Sequence, residues 1–174
     1  MMFYQVAVRE IKFFGFVAEK FPRVSGKAVS ARRRSTGDAL TPLLDAIDAD
    51  PQVVAAGWRG VNVDLGDEWR SFVDAGPGDV DALLGYLFAM RRSAALAAGG
   101  PHPKARFYRN ADMEWSFLLR EQGKRLVAVE LPVRQDRHRG YHDSDPVMRD
   151  RESKKTYDRF LQRFRGREDL RLPR

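Results

Sequence analysis

The chain has 174 residues, 43% of them hydrophobic, and a formal net charge of +7, a length suited to one domain with a single core. It contains no cysteine, which excludes disulfides, thiolate metal sites and cysteine nucleophiles and fits a reducing, cytoplasmic setting. No apolar run approaches the ~18–20 residues that span a bilayer, and Arg9, Glu10, Lys12 and Glu19 interrupt the N-terminal apolar stretch, so it does not read as a signal peptide.

In chain order, residues 1–21 carry Val6, Val8, Ile11, Phe13, Phe14 and Val17 at spacings that fit neither period cleanly. A helix over Tyr4–Lys20 is the expectation, with Gly15 against it. Pro22–Arg34 is a polar connector rich in Gly, Ser and Arg. Asp38 or Thr41 is placed to cap a helix running through Ile47, with Pro42 in its first turn. Gln52–Gly57 is a short apolar run that predicts a buried strand. Val61, Val63 and Leu65 alternate with Asn62 and Asp64 and predict a second. Gly76-Pro77-Gly78 marks a turn. Residues 79–98 read either as one helix or as a strand over Ala82–Met90 feeding a helix over Arg92–Ala98, with Gly99-Gly100-Pro101 as the stop. Asn110 or Asp112 caps a helix through Gln122, ended by Gly123 at a position suited to positive φ. Arg125–Glu130 predicts a strand. Met148–Phe164 predicts an amphipathic helix with Tyr157, Phe160, Leu161 and Phe164 on one stripe. The order of elements reads as α/β.

The segment richest in chemistry is Phe107–Arg120 (FYRNADMEWSFLLR). Asp112 and Glu114 stand in the first turn of the predicted helix, where the helix dipole stabilises carboxylates. A carboxylate fixed there and facing a loop edge can serve as a general base toward a substrate hydroxyl. On spacing alone it equally serves as a helix cap beside a solvated acid. His138 and His142 stand four apart, a spacing that places two metal ligands on one helix face, but Gly140 between them argues for a loop.

These residues follow a known order. Asp112-x-Glu114, an apolar–Ser–apolar stretch, Leu119-Arg120, Gly123 and a strand resemble the end of a family 2 glycosyltransferase domain. Upstream, Gly85-Tyr86, Met90-Arg91-Arg92 and Gly99-Gly100 resemble the stretch that borders that family's acceptor pocket. Gly37-Asp38-x-Leu40-x-Pro42-Leu43 and Asp50-Pro51-x-Val53…Gly57 resemble the helix and strand that follow its metal-binding motif. Downstream, Arg137–His142 and Ser153-Lys154-Lys155…Phe164 resemble a C-terminal extension of a bacterial branch.

The resemblance covers roughly residues 35–170. It implies a partial GT-A-like domain, an α/β fold with a mixed sheet and a C-terminal helix. The implied reaction is inverting transfer of a sugar from a nucleotide-sugar to a hydroxyl acceptor. A polysaccharide or lipid-linked acceptor in cell-envelope synthesis is the implied partner. By the same resemblance Asp112 is the catalytic base and Glu114 the acid that orients it or contacts the acceptor. Gly85, Tyr86, Arg91, Arg92 and Trp115 are the implied substrate-binding residues, with Tyr86 and Trp115 able to stack on a sugar face. His138 is the implied ligand of a divalent metal, Mn or Mg, that carries the diphosphate in the full-length family. The position before the base, acidic in the family, is Ala111 here.

The family's Asp-rich metal motif should fall just before Gly37, where this sequence reads Ala31-Arg32-Arg33-Arg34-Ser35-Thr36 without a carboxylate. Residues 1–34 are also too few for a nucleotide-binding half. The domain division is therefore a basic segment 1–34 ahead of a transferase-like part 35–174. Charge follows the same division: 1–34 carries eight Lys/Arg against two Glu, 134–174 thirteen against eight acids, and the middle is net acidic. Two readings remain open. One is a transferase from a truncated or frame-shifted gene, inactive alone. The other is a non-catalytic module whose basic ends bind an acidic polymer, nucleic acid or the inner face of the membrane. No RNP, zinc-finger or helix-turn-helix pattern supports nucleic acid. An absent half would leave a sheet edge open, and residues 1–21 and a second subunit are the two candidates to cover it.

Overall fold

The computed structural model describes residues 7–8, 11–13, 33–99, 102–104, 110–135 and 145–173. Its centre is strand β4 (Val53–Gly57), buried along its whole length as the apolar run requires. On one side β4 pairs antiparallel with β9 (Phe88–Arg91) and on the other parallel with β10 (Arg125–Ala128). The full sheet has six strands and is mixed. Its remaining members are β1 (Ala7–Val8), β2 (Ile11–Phe13) and β7 (Gly78–Asp79), and the spatial order is β1-β2-β9-β4-β10-β7.

Alternation along the strands divides two faces. Phe88, Met90, Leu126 and Ala128 pack with Trp115 and Leu119, which belong to helix α3 (Ala111–Arg120), and with Ala94 and Ala95 of helix α2 (Arg92–Ala97). Ala89 and Val127, one residue out of step, pack instead against Leu43 and Ile47 of helix α1 (Thr41–Asp48). Period-2 side chains on a sheet covered on both faces give this arrangement. Asp38 prepares the entry to α1, since its Oδ1 accepts the N–H groups of Leu40 (2.8 Å) and Thr41 (3.1 Å). The Thr41 hydroxyl and these two N–H groups hold the Asp38 carboxyl below its ordinary range.

A third core lies beyond α3. Strands β5 (Gly60–Val63), β6 (Phe72–Ala75) and β8 (Ala82–Leu83) form a small antiparallel sheet. Its Val61, Val63 and Ala82 pack with Met113 and Phe117 of α3 and with Phe160 and Phe164 of helix α4 (Pro146–Phe164). Phe117 meets Phe160 edge-on at 5.1 Å. The predicted stripe of α4 is the buried one, with Tyr157 and Leu161 at its margin. Asp145 caps α4 by accepting the N–H of Met148 at 2.8 Å. Strands β3 (Arg33–Ser35) and β11 (Val133–Gln135) pair antiparallel apart from both sheets.

Two expectations need correction. The N-terminal residues that are described are strands, not helix: β1 and β2 form a hairpin, and β2 pairs with β9 through Ile11↔Arg91, Lys12↔Met90 and Phe13↔Ala89. An open edge on β9 offers β-branched and aromatic residues a ladder that a lone helix lacks. The rest of that expected helix lies outside the described residues. Leu65 does not continue β5 and is 48% exposed. Asp64 turns the chain there by accepting the Gly66 N–H at 2.8 Å. Residues 79–98 follow the second reading, strand then helix over Arg92–Ala97, except that the strand is broken into β8 and β9, with β7 ahead of it. Gly123 has φ +70, as the C-terminus of α3 requires. Among the described residues no helix is long and apolar enough to cross a membrane.

Candidate functional site at the head of helix α3

Helix α3 is laced to strand β8 and the turn after it by two side chains one helical turn apart. Ser116 Oγ donates to the carbonyl of Asp112 at 2.7 Å and accepts the N–H of Leu83 at 3.0 Å. Asp112 Oδ2 accepts the N–H of Gly85 at 2.6 Å, and Oδ1 that of Met113 at 3.0 Å. The spacing is a consequence of element geometry. Two residues of extended chain advance about 6.7 Å and four helical residues about 6 Å. The N–H groups of Leu83 and Gly85 therefore meet positions i and i+4 of α3. Gly85 suits this approach, because a Cβ there would sit 3.1 Å from Asp112 Oδ2 and the carboxylate would have to give way.

The arrangement leaves a carboxylate half-buried in the first turn of a ten-residue helix, facing an exposed glycine. The positive end of the helix dipole and two N–H donors face this carboxylate. Next to Gly85 in the chain, Tyr86 begins an aromatic rim whose Trp58 packs against the α1-side core. Tyr86 meets Trp58 edge-on at 6.1 Å, and the Arg59 guanidinium lies 5.5 Å from the centre of the Tyr86 ring. Arg59 is held in turn by Asp74 at 2.9 Å. Backbone bonds from Trp58 to Leu87 (2.9 Å) and from Leu84 to Arg59 (2.9 Å) clamp this rim to the end of β4. Trp58 and Arg59 escaped sequence reading. Their position immediately after a buried strand, where it runs into a loop, was the available signal.

The other expected site residues are spread through the fold. Glu114 is 3% exposed and points to α4, where Arg159 grips both oxygens: Nε to Oε1 at 2.8 Å and Nη2 to Oε2 at 2.7 Å. Hydrogen bonding to Glu114, opposed by burial, holds the Arg159 guanidinium above its ordinary range. Trp115 is 3% exposed and meets Phe88 edge-on at 6.2 Å within the core, so its ring offers no open face to a sugar. Arg91 lies at the other end of β9. Its Nη2 donates to the Ile47 carbonyl at 2.6 Å and its Nε to that of Val53 at 3.3 Å. Val53 is separated from Gly57, at the Asp112 end of β4, by roughly 13 Å of strand. Arg92 is exposed at the start of α2. The structure therefore brings together Asp112, Gly85 and Tyr86, and not Arg91, Arg92 or Trp115. His138, with His142, Tyr108 and Tyr141, lies outside the described residues.

Among the described residues no group of three or more His, Cys, Asp or Glu side chains is placed to hold a metal ion. Several cations of the basic C-terminal part are paired. Lys155 and Arg151 share Glu152, Lys154 pairs with Asp158, Arg163 and Arg167 share Glu121, and Arg165 pairs with Glu68. Exposed pairs of this kind add little stability. A second buried acid, Asp81, is fully enclosed and structural: its two oxygens accept the N–H groups of Val63 and Leu172, each at 2.9 Å. This pins the tail after α4 to the start of β8. No family model matches the sequence, and no curated protein matches it.

Proposed function

We propose that the chain is the acceptor-side part of an inverting glycosyltransferase with a partial GT-A-like fold, and that Asp112 is its general base. The observation that carries this is the Asp112–Gly85 contact at 2.6 Å. It fixes a carboxylate at a helix head against a glycine, which carries no side chain of its own at the point of contact. The aromatic rim of Trp58 and Tyr86 supplies a surface for the apolar face of a pyranose. The mixed sheet, the Ser116 tie and the C-terminal helix agree with the same reading.

In the reaction, the acceptor hydroxyl gives its proton to Asp112 as its oxygen bonds to the anomeric carbon. The bond from that carbon to the diphosphate breaks on the opposite face, the leaving oxygen takes the electron pair, and the configuration inverts. Glu114 takes no proton in this scheme; its pairing with Arg159 holds α3 in place. No step is routed through a metal.

The test is a transfer assay with the full chain, a panel of nucleotide-sugars with Mn, and a panel of mono- and oligosaccharide acceptors. Transfer with inversion that Asp112→Asn abolishes supports the reading. A chain that transfers no sugar and binds no saccharide at Gly85 or Tyr86 overturns it.

A further inference from the structure

A groove of about 430 Å³ runs between α4 and the turn that joins β5 to β6, a size within the range of small-ligand sites. Arg70 and Phe72 form one wall, Ser153, Lys154 and Tyr157 of α4 the other, and Asn110 closes the end at the head of α3. We infer that this groove binds the sugar residues that follow the acceptor sugar of an oligosaccharide, an inference that rests on the glycosyl-transfer reading of Asp112.

The chemistry of the walls selects the ligand. The rings of Phe72 and Tyr157 stand 6.0 Å apart at 69°, an angled apolar corner that suits the C–H face of a pyranose better than a flat base held between parallel rings. Tyr157 is fixed there because its hydroxyl donates to the Trp69 carbonyl. Asn110 Nδ2 donates to the Ser153 carbonyl at 3.3 Å and hydroxyl at 3.1 Å, which joins α3 to α4 at the groove floor. Arg70 and Lys154 supply donors and Asp150 acceptors, the mixture that sugar hydroxyls need because each both gives and takes a hydrogen bond. Both cations already face carboxylates, Arg70 with Glu68 at 3.2 Å and Lys154 with Asp158 at 2.7 Å. The groove is therefore matched to a neutral polyol rather than to a phosphate.

Backbone geometry agrees. The non-glycine residues with positive φ among those described are Glu68 (59°), Trp69 (71°) and Asn110 (62°); Asn110 lines the groove, and the other two immediately precede Arg70. Each such conformation costs on the order of 1 kcal/mol and is typical of ligand clamps. The pair at Glu68 and Trp69 turns the Trp69 ring into the core and leaves Arg70 at the rim. Asn110, which joins the groove floor to α4, and Asp112 both stand at the head of α3, two residues apart in the chain.

The experiment is amide NMR on the full chain with gluco-, galacto- and N-acetylglucosamine oligomers of one to four residues. For one series, the monosaccharide is expected to shift Gly85 and Tyr86. Its longer members should add shifts at Asn110, Ser153 and Tyr157 and bind at least tenfold tighter. The surface double variant Arg70→Ala with Lys154→Ala is expected to remove that gain and keep monosaccharide binding. Oligomers that shift only Gly85 and Tyr86 and bind no tighter overturn the groove and leave the Asp112 reading standing. Shifts confined to the groove keep the saccharide site and overturn that reading. A panel that shifts neither set overturns both.

Discussion

Asp112 and Glu114 stand two residues apart on the same helical turn, and their surroundings differ in nearly every respect. Asp112 faces the sheet side, half-buried, with one oxygen on the N–H of an exposed glycine. Glu114 faces α4, enclosed, with both oxygens on one guanidinium. A helix turns about 100° per residue, so neighbours two apart look to opposite sides. The difference shows how a paired-acid pattern divides: one carboxylate stays half-buried against the turn after β8, and the other is committed to holding the helix that carries the first.

The largest effect expected is on the Glu114 side. Glu114→Ala leaves Arg159 partly buried without its partner and should cost about 3–5 kcal/mol of stability, while Glu114→Met with Arg159→Leu should recover most of it. Urea midpoints with an unchanged m-value report both. A loss under about 1 kcal/mol in the single variant would show that the pair does not fasten α3 to α4. On the other side, Asp112→Asn should lower transfer by about 10²–10⁴-fold with a stability change of about 1 kcal/mol or less. If both variants lose stability equally and neither affects transfer separately from folding, the division of labour fails.

How much of this contrast was legible beforehand depends on the distance a signal must travel. Local signals were read well: the Asp38 turn ahead of α1, Gly123 after α3, the buried run of β4 and the stripe of α4 each depend on a few neighbouring residues. The Asp112 position was legible because a helix start is a local event. Its tie to Gly85 spans 27 residues, and the Glu114 pair with Arg159 spans 45, and no periodicity encodes either. The N-terminal strands failed for the same reason. Ile11, Lys12 and Phe13 take their conformation from Arg91, Met90 and Ala89, so tertiary pairing overrode local preference. Strand β6 was missed because its burial is mixed and its register comes from β5. Trp115 was misplaced because an aromatic beside an acid reads the same in sequence whether its ring faces core or solvent.

A smaller effect sharpens the Asp112 side. Gly85→Ala places a methyl 3.1 Å from Asp112 Oδ2, and the carboxylate must retreat by a few tenths of an ångström. Because the yielding group is the end of a flexible side chain, the stability change should stay under about 1 kcal/mol. Transfer should fall more, by about tenfold, because a base displaced from the acceptor hydroxyl loses alignment. The matching measurement is the rate ratio at fixed folded fraction. A Gly85→Ala variant with full transfer and the Asp112 contact intact would break the claim that the glycine positions the base.

The smallest effect tests the α4 side through its one strongly shifted group. Burial, with a lesser contribution from the negative charge of Asp67, pushes the Tyr157 phenol up to about 12 from 10.0. A phenol whose pKa rises on folding binds its proton more tightly in the folded chain. Its contribution is therefore complete below pH 10 and is lost as pH rises toward 12. Tyr157→Phe keeps the ring stacked on Phe160, 5.8 Å apart at 12°, and removes both the proton and the bond to the Trp69 carbonyl. At neutral pH the variant should be less stable by about 1 kcal/mol. Between pH 10 and 12 the difference should narrow, because only the parent protein has this proton to lose. Lysine and arginine titration affects both chains alike and cancels in the comparison. A difference that stays constant across this range would place the Tyr157 hydroxyl in solvent, and with it the α4 wall that separates Glu114 from water.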